Sequence, residues 1–288
     1  MEVVSKVTDI RKRLDAVRKK RTIGFVPTMG ALHEGHLALI RRARNDNDYV
    51  VVSIFVNPLQ FGPGEDFDKY PRTPKSDARK LKSAGVDMLF CPAGSEIYPS
   101  GTSTAVDEKK FSAGLCGDAR PGHFMGVATV VCKLLNIVEP ARAYFGRKDY
   151  QQLKVIDQMV RDLFMRVSIV PCPIVRHKNG LALSSRNKYL SEVEFEESAE
   201  IYGALLCAAE LVKSNPGVSV NKVYSTVKRM INKIAVKHRI DYIEILDADS
   251  FEAIDHFHGK VLIAVAVFIG QTRLIDNILI RVARSRLL

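Results

Sequence analysis

TIGFVPTMGALHEGHLALI, Thr22 to Ile40, is the most informative segment of the chain. Thr22 to Pro27 is a short apolar run closed by proline, as expected of a buried strand. A turn containing Gly30 follows, and apolar residues then recur at helical spacing from about Gly35 to Ala43. Strand, glycine turn and helix in that order are the opening half of a β-α-β unit. The start of such a helix carries unpaired N–H groups and the positive end of the helix dipole, which suits phosphate. His33 and His36 stand three apart at that start, so they lie near one face. Gly35 between them lets a ligand approach the backbone, and two imidazoles can donate to a phosphate as charge builds on it. Two histidines packed at a helix end is the plainer alternative, and a zinc site lacks a third ligand nearby.

Outward from this stretch the same alternation continues. Tyr49 to Val56 (YVVVSIFV) is a β-branched run suited to a strand buried on both faces. Pro74 to Ser83 reads as a helix, Val86 to Cys91 and Arg142 to Phe145 as strands, Lys148 to Phe164 as a helix and Val167 to Val175 as a strand. Strands alternating with helices predict a Rossmann-like, doubly wound parallel sheet. After about residue 185 the order changes. Two helical stretches, Glu192 to Lys213 and Ser219 to Val236, precede three strand-like runs near Asp241 to Leu246, Val261 to Phe268 and Arg273 to Ile280. This predicts an α/β chain in two parts, 1–184 for nucleotide and substrate and 185–288 as a smaller α+β C-terminal domain.

Three further segments carry chemistry. YFGRKDYQQL, Tyr144 to Leu153, repeats the strand-turn-helix pattern. It places Lys148 as a point charge for phosphate and Asp149 either on ribose hydroxyls or as a helix cap, with Gln151 and Gln152 able to read hydroxyls or a carboxylate. NGLALSSRNKYL, Asn179 to Leu190, lines up Ser184, Ser185 and Arg186, a set able to grip a pyrophosphate leaving group or simply a polar linker. FVNPLQF, Phe55 to Phe61, lies past the end of a strand, where parallel sheets bind ligands, so Asn57 and Gln60 are placed for a small polar substrate. In PRTPKSDARK, Asp77 is a candidate magnesium contact or a solvated helix residue.

The bulk properties set limits. The chain has 288 residues, 47% hydrophobic and 26% charged, and no run of about 18 apolar residues. No secretory signal pattern opens it, which predicts a cytoplasmic protein. Five scattered cysteines without a C-x-x-C pair suggest neither a disulfide framework nor a zinc site. The net charge of +11 fits phosphate-bearing substrates, and no basic-aromatic patch or helix-turn-helix signal supports nucleic-acid binding.

Taken together, PTMGALHEGH, SIFVNPLQFG, YPRTP, ARPGHFMGVATVVCKLLNIVEP, YFGRKDYQQL, GLALSSRN, DYIEILDA and GQTRLIDN resemble the pantothenate synthetase family, within the H-x-G-H nucleotidyltransferases. The resemblance implies a Rossmann-type domain with a small C-terminal lid, a homodimer, and a reaction of pantoate, ATP and β-alanine, with Mg2+, through a pantoyl adenylate. It implies ATP contacts at Met29, Gly30, Ala31, Leu32, His33, Glu34, Gly35 and His36, at Gly146, Arg147, Lys148 and Asp149, and at Val175, Leu183, Ser184, Ser185 and Arg186. Gln60 and Gln152 match the pantoate contacts, Gln60 also lying near β-alanine, and His36 matches the residue the family treats as a proton donor. Leu183 stands where the family's methionine is expected, a change of similar volume. A sibling nucleotidyltransferase acting on another substrate would share the histidine turn without needing VNPLQF and KDYQQ. An aminoacyl-tRNA synthetase fragment would share LSSRN, but the chain leaves little room for an anticodon-binding domain.

Overall fold

A computed structural model describes residues Met1–Val282, and the chain divides into two compact units between Ile174 and Val175. The boundary expected at 184/185 lies ten residues beyond this division.

The first unit is a six-stranded parallel sheet. Its strands are β1 (Glu2–Val4), β2 (Ile23–Thr28), β3 (Tyr49–Ile54), β4 (Met88–Phe90), β5 (Arg142–Gly146) and β6 (Ser168–Cys172), in the order β1-β4-β3-β2-β5-β6. Its helices are α1 (Val7–Arg18), α2 (Glu34–Asp46), α3 (Pro74–Ser83), the short α4 (Gly94–Ile97) and α5 (Leu115–Ala119), α6 (His123–Val138) and α7 (Tyr150–Asp162). The strands run together because their side chains are apolar on both faces: Phe25, Val26, Val50, Val51 and Val52 are wholly buried. Val26, Val50 and Val52 join Ile40 and Ala43 of α2 and Leu81 of α3 in one cluster. Burying each such side chain is worth about 1.5–3 kcal/mol.

The winding reverses at β2. β3 and β4 extend the sheet to one side of it, while β5 pairs directly with its other side, Gly24 opposite Arg142 and Phe25 opposite Ala143. The turns that leave β2 and β5 therefore emerge as neighbours at the carboxyl edge of the sheet. A crevice of this kind is where open parallel sheets bind ligands. The two strand-turn-helix segments singled out in the sequence are those two turns.

Among the elements not foreseen are an edge strand and a long helix. β1 is that edge strand, and α6 is a 16-residue helix of which eleven residues are buried.

The second unit holds α8 (Glu192–Glu197), α9 (Glu200–Ser214), α10 (Val220–Ile231) and an antiparallel sheet β7 (His238–Asp247), β8 (Gly259–Ile269), β9 (Thr272–Val282), in that order across the sheet. The alternate apolar residues Val261, Ile263, Val265 and Val267 of β8 pack with Ala204, Ala208 and Val212 of α9 and with Val223 and Val227 of α10. One face of this sheet is thus covered by helices, as the order helix, helix, strand, strand, strand anticipates.

Candidate active site

The turn after β2 folds by satisfying its own polar groups. Gly30 has φ +85°, and a Cβ there would stand 3.0 Å from Ile54 Cγ2 and 3.3 Å from Asp77 Oδ2, so the position needs glycine on both counts. Ala31 follows at φ +51°, an uncommon conformation for a residue with a side chain. It is held there by α3. Asp77 accepts from Ala31 N (3.0 Å) through one carboxylate oxygen and from Leu32 N (2.9 Å) through the other, and Lys80 Nζ donates to Leu32 O. This corrects the expectation for Asp77. It is not the solvated helix residue that was one of its two alternatives: at 1% exposure its carboxylate accepts from two backbone N–H groups. Among the described residues, no three His, Cys, Asp or Glu stand together as metal ligands.

The histidines cap the helix that follows. His33 Nδ1 accepts from Gly35 N (3.2 Å), and His36 Nδ1 accepts from His33 N (3.3 Å). A backbone N–H can only donate, so both Nδ1 atoms are unprotonated and each neutral ring carries its proton on Nε2. The rings lie 4.1 Å apart. Burial, then His36, then Lys148 and Lys80 push the His33 pKa down to about 3; burial, then Lys148 and Lys80, push His36 down to about 4. Both are neutral N–H donors near neutral pH, in a field set by two lysines. Lys148 was expected there. Lys80 was missed, although its place three residues after Asp77 puts both on one side of α3.

The turn after β5 is looser. Arg147–Asp149 form a short 3₁₀ turn, and Asp149 stands at the N-cap of α7 but makes no side-chain cap, so the capping alternative is not realised. Asp149 is exposed and Lys148 half-buried. The two glutamines that follow separate in role. Gln151 is buried, accepting from Cys116 N (3.0 Å) and donating to Phe111 O, Ala113 O and Gly114 O, which fixes the loop before α5. Gln152 is half-buried and carries no side-chain hydrogen bond among the described residues.

Past β3, Pro58–Gln60 make a 3₁₀ turn against α6. Gln60 Nε2 lies 3.3 Å from Met29 Sδ, so this turn and the histidine turn meet. Asn57, expected to touch substrate, is 1% exposed and fully engaged: Nδ2 donates to Gln60 Oε1 (3.1 Å) and Gly126 O (3.1 Å), while Oδ1 accepts from Tyr98 Oη (2.7 Å) and Leu59 N (3.4 Å). Its task is support. Glu34 faces solvent and pairs with Arg41.

In the second unit, Val175 O accepts from Leu183 N (3.0 Å) across a tight hairpin, and Ser184 caps a 3₁₀ turn, Ser185–Tyr189. Asn187 Oδ1 accepts from Ser184 N (2.6 Å) and Ser184 Oγ from Arg186 N (3.3 Å). Val175, Leu183, Ser184, Ser185 and Arg186 therefore belong to one local structure.

A switch-point crevice in a parallel sheet, with a histidine-capped helix start and two lysines, defines an α/β protein built to hold a phosphate-bearing ligand. The family model for pantoate-beta-alanine ligase matches residues 2–279, and the chain belongs to that family. It is 51% identical to the pantothenate synthetase of Caldicellulosiruptor bescii over 284 residues, 97% of this chain and 99% of the relative. Among solved structures, pantothenate synthetase from Thermus thermophilus superposes with a TM-score of 0.91 at 45% identity, covering 96% of this chain and 99% of that one. The Francisella tularensis pantoate-beta-alanine ligase, complexed with beta-gamma ATP and beta-alanine, does so at 0.78 and 36%, covering 97% of each.

Proposed function

We propose that the chain joins pantoate to β-alanine at the expense of ATP, through a pantoyl adenylate. A free carboxylate is a poor electrophile. A pantoate carboxylate oxygen attacks the α-phosphorus of ATP and pyrophosphate leaves. The β-alanine amine then attacks the acyl carbon and AMP leaves.

The observation that carries this reading is the pair of neutral imidazoles, each held at Nδ1 by a backbone N–H so that its proton sits on Nε2, in the field of Lys148 and Lys80. Donors whose direction is set before the reaction stabilise charge as it develops on phosphate oxygens. His36, neutral in the free site, acts first as a hydrogen-bond donor. The charge of bound phosphates raises its proton affinity toward the proton-donor role the family assigns. Lys148 neutralises phosphate, Asp149 meets the ribose, and Gln60 and Gln152 hold the acid. Val175 and Leu183 to Arg186 supply the family's remaining nucleotide contacts. Magnesium enters with ATP as the metal-nucleotide substrate. A homodimer in the cytoplasm completes the reading, and light scattering checks the mass.

The deciding experiment measures pyrophosphate released from magnesium-ATP with and without D-pantoate, before β-alanine is added. Release that requires pantoate, with pantothenate and AMP appearing only once β-alanine is present, is the expected result. Folded, ATP-binding protein that releases none with pantoate overturns the substrate assignment.

A further inference from the structure

Gln60 is the side chain this reading gives to the acid, and its amide has two faces of opposite polarity. Which face meets the substrate is fixed by groups that do not touch it. The Gly126 carbonyl only accepts, so the Asn57 atom 3.1 Å away is Nδ2; the Leu59 N–H only donates, so the atom it meets is Oδ1. Tyr98 donates its hydroxyl to that same Oδ1 at 2.7 Å. Asn57 has then used both acceptor sites of Oδ1 and one hydrogen of Nδ2, and the second hydrogen goes to Gln60 Oε1 at 3.1 Å. Gln60 is left with Nε2 toward Met29 Sδ, a weak acceptor that agrees with the assignment.

The backbone of Gln60 is pinned as firmly. Arg120 Nη1 lies 3.1 Å from His123 Nε2 and can only donate, so that ring nitrogen accepts and the proton sits on Nδ1. His123 Nδ1 then donates to Gln60 O at 2.8 Å, and Arg120 Nη2 donates to the same oxygen at 3.2 Å while the guanidinium holds Glu65. Burial, then Arg120, hold the His123 pKa down at about 4, so the ring is neutral at ordinary pH. Burial holds the Tyr98 pKa up at about 12, so its hydroxyl stays a donor. Gly126 sets the distance between helix and turn: a Cβ there would lie 2.2 Å from Leu59 O and 2.7 Å from Gln60 N.

We infer that Tyr98, His123 and Gly126 are positioning residues that lock Gln60 with its amide nitrogen forward, so that the site selects an acid offering an acceptor oxygen at that point. The inference rests on the assignment of Gln60 to the acid and adds the polarity of that contact and what enforces it.

Steady-state kinetics on the full chain tests it, with pantoate and ATP varied separately. Tyr98→Phe deletes one hydroxyl and should raise the pantoate KM about tenfold, with the ATP KM held within roughly twofold. His123→Ala should do the same, and His123→Asn, whose amide nitrogen can stand in for Nδ1, should recover most of the loss. Gln60→Glu, which puts an acceptor forward, should impair pantoate use at least as much as Gln60→Ala. An unchanged pantoate KM in folded Tyr98→Phe and His123→Ala, with Gln60→Ala impaired, overturns the lock and leaves Gln60's role standing. An unchanged pantoate KM in Gln60→Ala removes the assignment of Gln60 itself. A rise in the ATP KM in step with that for pantoate in Tyr98→Phe also overturns the inference, because the lock acts on the acid alone.

Discussion

The turns after β2 and β5 leave adjacent parallel strands and open helices of the same length, 13 residues, yet they are built differently. The first has two positive-φ residues in succession, two histidines that cap their own helix, and a buried carboxylate and a lysine from α3 holding its backbone. The second has no side-chain cap and carries an exposed Asp149 beside a half-buried Lys148. A neutral N–H donor works only when aimed, so its turn is overdetermined. An ammonium attracts phosphate from many directions, so its turn needs little support.

Removing the support of the first turn should have the largest effect. Asp77→Ala leaves the buried Ala31 and Leu32 N–H groups unpaired, which should lower stability by about 2–6 kcal/mol. Pantoate-dependent pyrophosphate release should fall below detection. Denaturant melts and the release assay check both, and a variant with normal release would show that the turn holds itself.

His36→Ala should slow adenylate formation about 10²–10³-fold while the protein stays folded. Single-turnover pyrophosphate release measures it, and an unchanged rate would remove His36 from the chemistry. The contrasting turn predicts a graded response: Lys148→Ala should raise the ATP KM about a hundredfold, and Lys148→Arg should recover most of it because the charge survives. An arginine variant as impaired as the alanine variant would mean that Lys148 is as tightly aimed as the histidines.

The histidine turn should also be the pH-sensitive one. His33 and His36 have folded-state pKa values of about 3 and about 4, below the ordinary 6.5, so between those limits the unfolded chain binds more protons than the native one. Stability is full above pH 6.5 and falls as pH drops below it. Thermal midpoints between pH 7.5 and about 5, above most carboxylate titrations, should fall with acid. That slope should be shallower in His33→Asn/His36→Asn and, because Lys148 helps to hold both values down, slightly shallower in Lys148→Ala as well. The smallest effect belongs to Asp149→Asn, a few-fold rise in ATP KM, since an exposed side chain makes a weakly supported contact.

Several elements were legible because their apolar pattern is local. Pro74–Ser83 is a helix as read, and β2, β3, β5 and β7 to β9 match their expected runs within a few residues. α6 was not, because Gly126 to Val131 are buried without interruption and no polar face marks a helical period. Its importance to the site comes through that same burial, since His123 holds Gln60 from 63 residues away in sequence and Gly126 holds Asn57 from 69.

The two strand-turn-helix segments, the parallel α/β class and the family were already legible in the sequence, which also nominated His33, His36, Lys148 and Gln60 for the site. Short-range order suffices for these, because each motif lies within a dozen residues. The roles of the supporting polar groups emerge with the packed fold. The fold paired β2 with β5, set Asp77 to hold a backbone turn, and set Asn57 to orient Gln60. A carboxylate or amide reads the same in a sequence whether it faces solvent or a buried N–H. Folding alone brings the partner, dozens of residues away, that fixes which.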